Sequence, residues 1–189
     1  MNKNYKIYDF YGESYPHSDW NAKLARKKIN ELIKLKEERL KELINLLDSN
    51  NINLDYSKES LQQLNNFICK ELEDYMPKLD KSSHNCCNYV ETQYFRSLVI
   101  DCTLYLGEVL LISLNSDKLK WDVYKTTKKE FNRFYPSIHN TIFASDIYIY
   151  FVQYLGGFDS NNKMLIQLYN ESYQYLQKYI DLKRRYSEN

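Results

Sequence analysis

Apolar side chains recur every three or four positions over several long stretches of the chain, which is the period of an amphipathic helix. The first stretch runs from Leu24 to Leu47 and predicts one long helix, with Lys36 interrupting its apolar stripe. Ser18 or Asp19 precedes this stretch, where a short polar side chain can accept a hydrogen bond from the first turn. The interruption predicts a slight bend or a shift of the packed face.

Three further amphipathic helices follow from the same period. The second helix is expected to begin after Ser57 and to stop before Pro77, because proline cannot continue a helix. Two others are predicted near the carboxyl end, over about residues 141–154 and over the stretch that begins at Met164. Gly156-Gly157 lies between them and suits a left-handed C-cap.

The stretch DCTLYLGEVLLISL belongs to a helix of a different character. Apolar side chains cover almost the whole circumference of this helix, which is predicted over about residues 89–114. A helix that is apolar on all sides in a soluble protein lies at the centre of its fold. It nevertheless carries Asp101, Gly107 and Glu108, and these three positions require a structural or a chemical explanation.

Alternation of apolar and polar residues replaces the helical period after this helix. Leu119, Trp121 and Val123 alternate with polar residues, and Phe131 and Phe134 follow a polar turn. The pattern predicts a small β-hairpin over about residues 119–135. Its apolar side, including Trp121, should be largely buried against the central helix.

These elements together predict a mainly α fold, a helical bundle around the central apolar helix with one small β-hairpin. The low counts of glycine (4) and proline (3) agree, since turn-rich β folds use more of both. A length of 189 residues suits a single domain over 1–189. Residues 1–17 have no helical period and are expected to form an extended, aromatic arm across a helical body of residues 18–189.

The charge balance, 26 Lys and Arg against 25 Asp and Glu, excludes a global field that would attract nucleic acid or an anionic membrane. The first residues lack the apolar region of a signal peptide, and no run reaches the roughly 18 apolar residues expected of a membrane span. We therefore expect a cytoplasmic protein with neither a membrane nor a nucleic-acid partner. Its cysteines should be free thiols, with Cys69 and Cys102 in the core.

Asp101 and Glu108 are seven residues apart, so they share one helix face about two turns apart. Paired carboxylates can act as general acid and base or hold a metal, provided that other polar groups converge on them. The structural interpretation is favoured, because a carboxylate on an apolar helix needs a hydrogen-bond donor. For Glu108 the following segment offers the Trp121 indole N–H, two lysines and backbone amides, and Gly107 would allow that segment close approach. These four residues are therefore candidates for structural polar roles, and no catalytic residue is assigned.

No metal or cofactor motif accompanies these positions. The run from His84 to Cys87 contains two adjacent cysteines, which chelate one ion poorly compared with a C-x-x-C knuckle. Arg133 and His139 have a spacing similar to the R-x-H motif of helical ribonucleases of the HEPN type. Pro136 between them disfavours the continuous helix that this motif needs. We expect no metal and no cofactor.

Three short motifs, LDYSKESLQQL, YLGEVL and a downstream KW, lie between residues 53 and 121. In this combination the chain resembles a loose group of small, mostly helical bacterial proteins with a YLGE…W pattern. Some members of that group resemble immunity proteins against polymorphic toxins. The matching positions are Tyr105, Gly107, Glu108 and Trp121. The resemblance implies a shared core without a catalytic residue set, and a toxin as the partner.

The sequence predicts a protein-binding module, because a large core lacks a catalytic constellation and 19 tyrosines leave aromatic side chains for an interface. With the resemblance, the expected role is an immunity protein that neutralises a bacterial toxin by occlusion. The alternative is a hydrolase-like enzyme that uses Asp101 and Glu108 in a helical-bundle pocket. A third hypothesis, nucleic-acid binding through the basic hairpin, predicts a steep dependence of affinity on salt.

Overall fold

The computed structural model describes residues 5–10, 21–75, 93–123, 136–139, 141–142, 147 and 163–187. Over these residues the fold is mainly helical with one small antiparallel sheet, as the sequence predicted. The helices are α1 (Ala22–Lys34), α2 (Lys36–Asp48), α3 (Lys58–Tyr75), α4 (Gln93–Leu114) and α5 (Met164–Ser187), and the strands are β1 (Trp121–Val123), β2 (Pro136–Ile138) and β3 (Thr141–Ile142).

The predicted long first helix is present as two consecutive helices, α1 and α2, which are separated at Leu35. Leu35 has φ −85° and ψ 0°. Its N–H nevertheless donates to the Glu31 carbonyl, and its own carbonyl accepts from the Arg39 N–H, both at 3.0 Å. The helical hydrogen bonds therefore continue past Leu35, although its ψ angle departs from that of an α-helix. Leu35 is next to Lys36, where the interrupted apolar stripe predicted a bend or a shift of the packed face.

Short polar side chains cap the first and third helices. Asn21 caps α1, and its side-chain oxygen accepts from the backbone N–H of Leu24 at 2.9 Å. The predicted caps at positions 18–19 lie outside the described residues. Ser57 stands immediately before α3, as predicted, and its Oγ accepts from the N–H of Ser60 at 3.1 Å.

Helix α4 is the central helix that the sequence predicted, and its described part begins at Gln93. Fifteen of its 22 residues are buried, and α2 and α5 pack against it. Because it is buried on several sides, apolar residues around its whole circumference are stabilised by contact with other helices.

The same helix corrects one expectation from the sequence. By length and by a mean hydropathy of 1.8, α4 is apolar enough to cross a membrane, although no such run was expected. However, 72% of its most apolar window is buried inside the protein. The core helix of a soluble protein has these properties, and α4 is consistent with that interpretation.

The small sheet has three strands in the order β1-β2-β3, with both neighbouring pairs antiparallel. The predicted hairpin over about 119–135 has its first strand as expected, but the partner strand is Pro136–Ile138. Trp121 is the register partner of Ile138, which is fully buried, so two apolar residues lie opposite each other across the strands. Phe131 and Phe134, the predicted partners, lie outside the described residues.

The third strand, Thr141–Ile142, occupies the predicted start of a helix over about 141–154. The prediction is wrong at these two positions, because their backbones pair with Ser137 and Ile138 in the sheet. Ile147 is helical and buried. The remainder of that predicted helix, with Gly156-Gly157, lies outside the described residues.

The described part of the amino-terminal segment, residues 5–10, forms neither helix nor strand and lies against the helices. Tyr5 and Phe10 are buried in the core. The ring of Tyr5 meets the ring of Tyr94 on α4 edge to face, with 5.4 Å between their centroids. This segment therefore brings a tyrosine hydroxyl into the interior beside the central helix.

Candidate functional site

Asp101 lies at the centre of a buried polar cluster and is fully inaccessible to solvent. The Arg39 guanidinium of α2 binds it with a two-pronged geometry, Nε to Oδ1 at 2.9 Å and Nη2 to Oδ2 at 2.6 Å. The Tyr5 hydroxyl also donates to Oδ2. Hydrogen bonds of this charge-assisted, two-pronged kind are among the strongest that side chains form.

Other groups of the cluster provide further acceptors for the Arg39 guanidinium. Its Nη1 donates to the Lys6 carbonyl at 2.7 Å, and its Nη2 also contacts Ser97 Oγ at 3.1 Å. Ser97 Oγ in turn accepts from the backbone N–H of Tyr8 at 2.8 Å. The cluster therefore joins the amino-terminal segment to both α2 and α4.

Burial dominates the protonation of this cluster. It raises the pKa of Asp101 to about 6, against the hydrogen bonds and positive charge of Arg39 and the hydrogen bond from Tyr5, which lower it. Burial also raises the pKa of Tyr5 well above its ordinary value, and the adjacent Asp101 carboxylate adds to the rise. At neutral pH the carboxylate is therefore ionised while the phenol keeps the proton that it donates.

Glu108 lies at a second junction, where α2, α4 and β1 meet. The Trp121 indole Nε1 donates to Glu108 Oε1 at 2.6 Å, and Lys36 Nζ lies 2.8 Å from the same oxygen. The Lys36 and Glu108 side chains are only 18% and 16% exposed. The sequence predicted the indole as a candidate donor, and that hydrogen bond is present. It did not identify Lys36, which is the cation here.

Gly107 provides the space for this junction. A Cβ atom at Gly107 would lie 2.2 Å from Cζ2 of Trp121 and 3.2 Å from Cδ1 of Ile138. The close approach predicted at Gly107 is therefore present. Trp121 itself is partly buried, and Asp122 is as well, so the predicted alternation of inward and outward side chains is not seen over β1.

The two carboxylates do not converge on a common site. Each has its own cation from α2, Lys36 for Glu108 and Arg39 for Asp101. Lys36 and Arg39, three residues apart on α2, thus contact Glu108 and Asp101, which are seven residues apart on α4. Because both carboxylates accept bonds from protein donors, the arrangement can fasten helices but leaves Asp101 no access to a substrate.

Tyr105 has a comparable structural position on another side of α4. Its hydroxyl accepts from the Tyr56 N–H at 2.8 Å and lies 2.5 Å from Ser60 Oγ. The ring of Tyr105 is fully buried and stacks on the ring of Tyr56, with 5.1 Å between centroids. Tyr105 therefore ties α4 to the start of α3.

The predicted metal-like and R-x-H residues are only partly among the residues that the structure describes. Over those residues, no group of three His, Cys, Asp or Glu side chains could hold a metal ion. Cys69 and Cys102 are buried free thiols, as predicted, while the run from 84 to 87 lies outside. His139 is in the turn after β2 and stacks on Tyr179, with 3.4 Å between ring centroids.

The preceding segment, Pro136–Ile138, is a strand, so the helix that an R-x-H motif would need is absent at these residues. Arg133 lies outside the described residues.

Sequence reasoning missed Arg39 and Tyr5, which complete the buried cluster. A signal for Arg39 was present, since it lies three residues after Lys36 and four before Leu43, within the apolar stripe. A charged residue in such a stripe requires a buried counter-ion. Tyr5 had no comparable signal, because the segment around it has no period.

Comparison of the chain with protein-family models, with curated proteins and with solved structures gives no match.

The buried ion pair of Arg39 and Asp101 predicts that Asp101→Asn lowers the stability of the protein strongly. This substitution leaves the Arg39 guanidinium buried without its counter-ion, so the unfolding free energy should fall by about 3–5 kcal/mol. The double substitution Arg39→Met/Asp101→Leu removes both charges and should recover most of that loss. Urea denaturation of the variants measures both effects. Lys6→Ala, which removes an exposed ion pair with Glu38, is the control and should change the midpoint little. Wild-type stability of Asp101→Asn would contradict this account.

Gly107→Ala is expected to destabilise the protein through contact with the Trp121 ring. Overpacking at this position should cost about 1–3 kcal/mol, although alanine is the better helix former. In a Trp121→Ala background the same substitution should be neutral, or stabilising by up to about 1 kcal/mol. The four variants of this thermodynamic cycle can be compared by chemical denaturation. An equal loss in both backgrounds would place the cause outside the Gly107–Trp121 contact.

Substitutions of Glu108 distinguish a structural carboxylate from a catalytic one. Glu108→Gln keeps an acceptor for the Trp121 indole, so we expect a loss below about 1 kcal/mol. Glu108→Leu strands the indole donor and the Lys36 ammonium, and should cost about 1–3 kcal/mol. Thermal and urea unfolding measure both variants. A Gln variant that folds normally but loses a turnover reaction of the wild type would identify a catalytic role instead.

Proposed function

We propose that the protein is a protein-binding module, and that it acts in the cytoplasm as an immunity protein that neutralises a bacterial toxin by occluding it. The observation that carries this proposal is an exposed surface on α5, formed by Tyr175, Leu182 and Tyr186. Their exposed fractions are 52%, 50% and 79%. They account for three of the six large apolar side chains that are exposed among the described residues.

The three side chains share one face of the helix. Intervals of seven and four residues return to nearly the same direction on an α-helix, so the three side chains lie in one stripe. The His139 ring stacks on Tyr175 within this stripe, with 6.4 Å between the ring centroids. Tyr179, partly buried, lies between them on the same face. An amphipathic helix that lays such a stripe into a groove of its partner is a common mode of protein recognition.

The composition of the α5 surface also suits an interface. Tyrosine and arginine are enriched among the residues that dominate binding energies, and Arg184 and Arg185 lie in the last turn of the helix. Residues 182–186 are all exposed, so this end of α5 buries no face against the described part of the chain. Because helices in proteins gain most of their stability from burying one face, a bound partner would stabilise this end.

The contacts of the two carboxylates support binding ahead of hydrolysis. The enzyme hypothesis needs Asp101 and Glu108 in one pocket with access to a substrate. Asp101 is fully buried with Arg39, and Glu108 is engaged by Lys36 and Trp121. We therefore keep the hydrolase as an alternative hypothesis without a specific observation in its favour.

The resemblance to immunity proteins is consistent with these contacts. Tyr105, Gly107, Glu108 and Trp121 each make a packing or hydrogen-bonding contact around α4. Residues with that role would be shared by proteins with one core and different partners. Occlusion of a toxin requires only shape and charge complementarity, which surface residues such as those of the α5 surface can supply.

A charged substitution on the α5 surface tests the proposal. Leu182→Asp/Tyr186→Asp should weaken binding to the cognate toxin by at least about 2 kcal/mol, because two apolar anchors are lost. The natural candidate for this toxin is the product of a neighbouring gene. Calorimetry measures the affinity, and growth during co-expression of the toxin measures protection.

Ile112→Asp is the matched control, since Ile112 is 56% exposed but lies on α4. It should leave both affinity and protection unchanged. Circular dichroism confirms that each variant is folded. Full binding and full protection by the α5 variant would contradict the proposed surface, and an absence of protection by the wild type would contradict the immunity role.

A further inference from the structure

The outer face of α1 concentrates positive charge in a protein whose net charge is only +1. The helix carries five cationic side chains and one carboxylate in 13 residues. A surface cavity of about 440 Å³ runs along it. In the described part of the chain the cavity is lined by Lys23, Arg26, Lys27, Asn30, Glu31 and Lys34, which we call the α1 face.

The geometry of the α1 face places its cations in a row. Lys23, Arg26, Lys27 and Lys34 are separated by intervals of three, one and seven residues, so they project from one side of the helix. With a rise of about 1.5 Å per residue, the row is about 16 Å long. All four residues are exposed.

The positive charge of this row is largely unneutralised. Lys27 lies 3.9 Å from Glu31, and both side chains are exposed, at 73% and 46%. Among the residues that the structure describes, Lys23, Arg26 and Lys34 have no carboxylate within ion-pair distance. Two more exposed lysines, Lys118 and Lys120, come shortly before β1, which packs against α1.

We propose that the α1 face binds an acidic segment of another protein. Carboxylates three or four residues apart on a helix are about 5–6 Å apart, which is the spacing of neighbouring cations on a helix face. An acidic helix laid along α1 could therefore pair its carboxylates with several cations of the row. Complementary charge of this kind gives an interface its orientation and accelerates association.

The residues around the α1 face favour a protein ligand over a nucleic-acid ligand. Glu31 lies within the face, and exposed Glu37 and Glu38 follow directly beyond the end of the helix. A duplex carries a negative charge about every 1.7 Å and would meet these carboxylates along its length. Helix α1 also contains no aromatic residue on which the bases of a single strand could stack.

This inference is independent of the proposed function, because it concerns a different helix and a different kind of contact. Its probe is a fluorescein-labelled peptide of about 12 residues with glutamate at every third or fourth position, whose helical length matches the row. Fluorescence anisotropy with the full chain measures the affinity at low and at high salt. Duplex DNA of similar length is measured in parallel.

Two variants with the same change of net charge provide the comparison. In Lys23→Glu/Lys27→Glu/Lys34→Glu the peptide affinity should fall at least about tenfold, since three of four cations of the row are reversed. In Lys41→Glu/Lys70→Glu/Lys178→Glu, which alters exposed lysines elsewhere, the affinity should remain within about twofold of wild type. Circular dichroism verifies the helical content of both.

Three outcomes would overturn the inference. One is an absence of saturable peptide binding by the wild type. Another is an equal loss of affinity in both triple variants, which would show a response to net charge alone. The third is tighter binding of the DNA than of the peptide, lost in the α1 variant, which would identify a nucleic-acid surface. The Leu182→Asp/Tyr186→Asp variant should bind the peptide normally, which separates this test from that of the α5 surface.

Discussion

The buried ion pair between Arg39 and Asp101 is the interaction on which the arrangement of the helices depends. Removing two charges from water costs several kcal/mol per ion, and attraction offsets this only if every remaining donor and acceptor is satisfied. Here Tyr5, Ser97 and the Lys6 carbonyl add hydrogen bonds to the pair. The pair therefore constrains three parts of the chain at once: the amino-terminal segment, α2 and α4. In the observed register of α2 against α4, the guanidinium and the carboxylate are both hydrogen-bonded to protein groups.

The second junction extends the same constraint to the sheet. Lys36 is three residues before Arg39 on α2, and its partner Glu108 is seven residues after Asp101 on α4. The Trp121 indole bonds the same carboxylate oxygen while its ring lies over Gly107. A side chain larger than hydrogen at position 107 would displace the ring and with it β1. The sheet is thus positioned by a glycine and a carboxylate that follow each other on the central helix.

The residues that hold the helices together differ from the exposed residues that we propose for partner binding. Ser97, Asp101 and Glu108 of α4 hydrogen-bond within the fold. Under the proposed function, contacts with a partner would therefore come from exposed helix faces. The α5 surface offers an apolar stripe with arginines, and the α1 face offers a row of cations. Apolar anchors contribute most to affinity, while charges contribute to orientation and to the rate of association. The α5 surface is therefore suited to affinity, and the α1 face to orientation and the rate of association.

The sequence by itself determined the helical character, the central position of α4 and the need for a donor at Glu108. Each of these depends on local periodicity or on the cost of burying a polar group, which are readable along the chain. Only the tertiary structure decided which cation pairs with each carboxylate, because Arg39 and Asp101, for example, are 62 residues apart. It also decided that Pro136–Ile138 pairs with β1 and that the chain continues into a third strand rather than a helix. Strand partners and ion pairs depend on which surfaces meet in space, and no periodicity within a segment specifies that meeting.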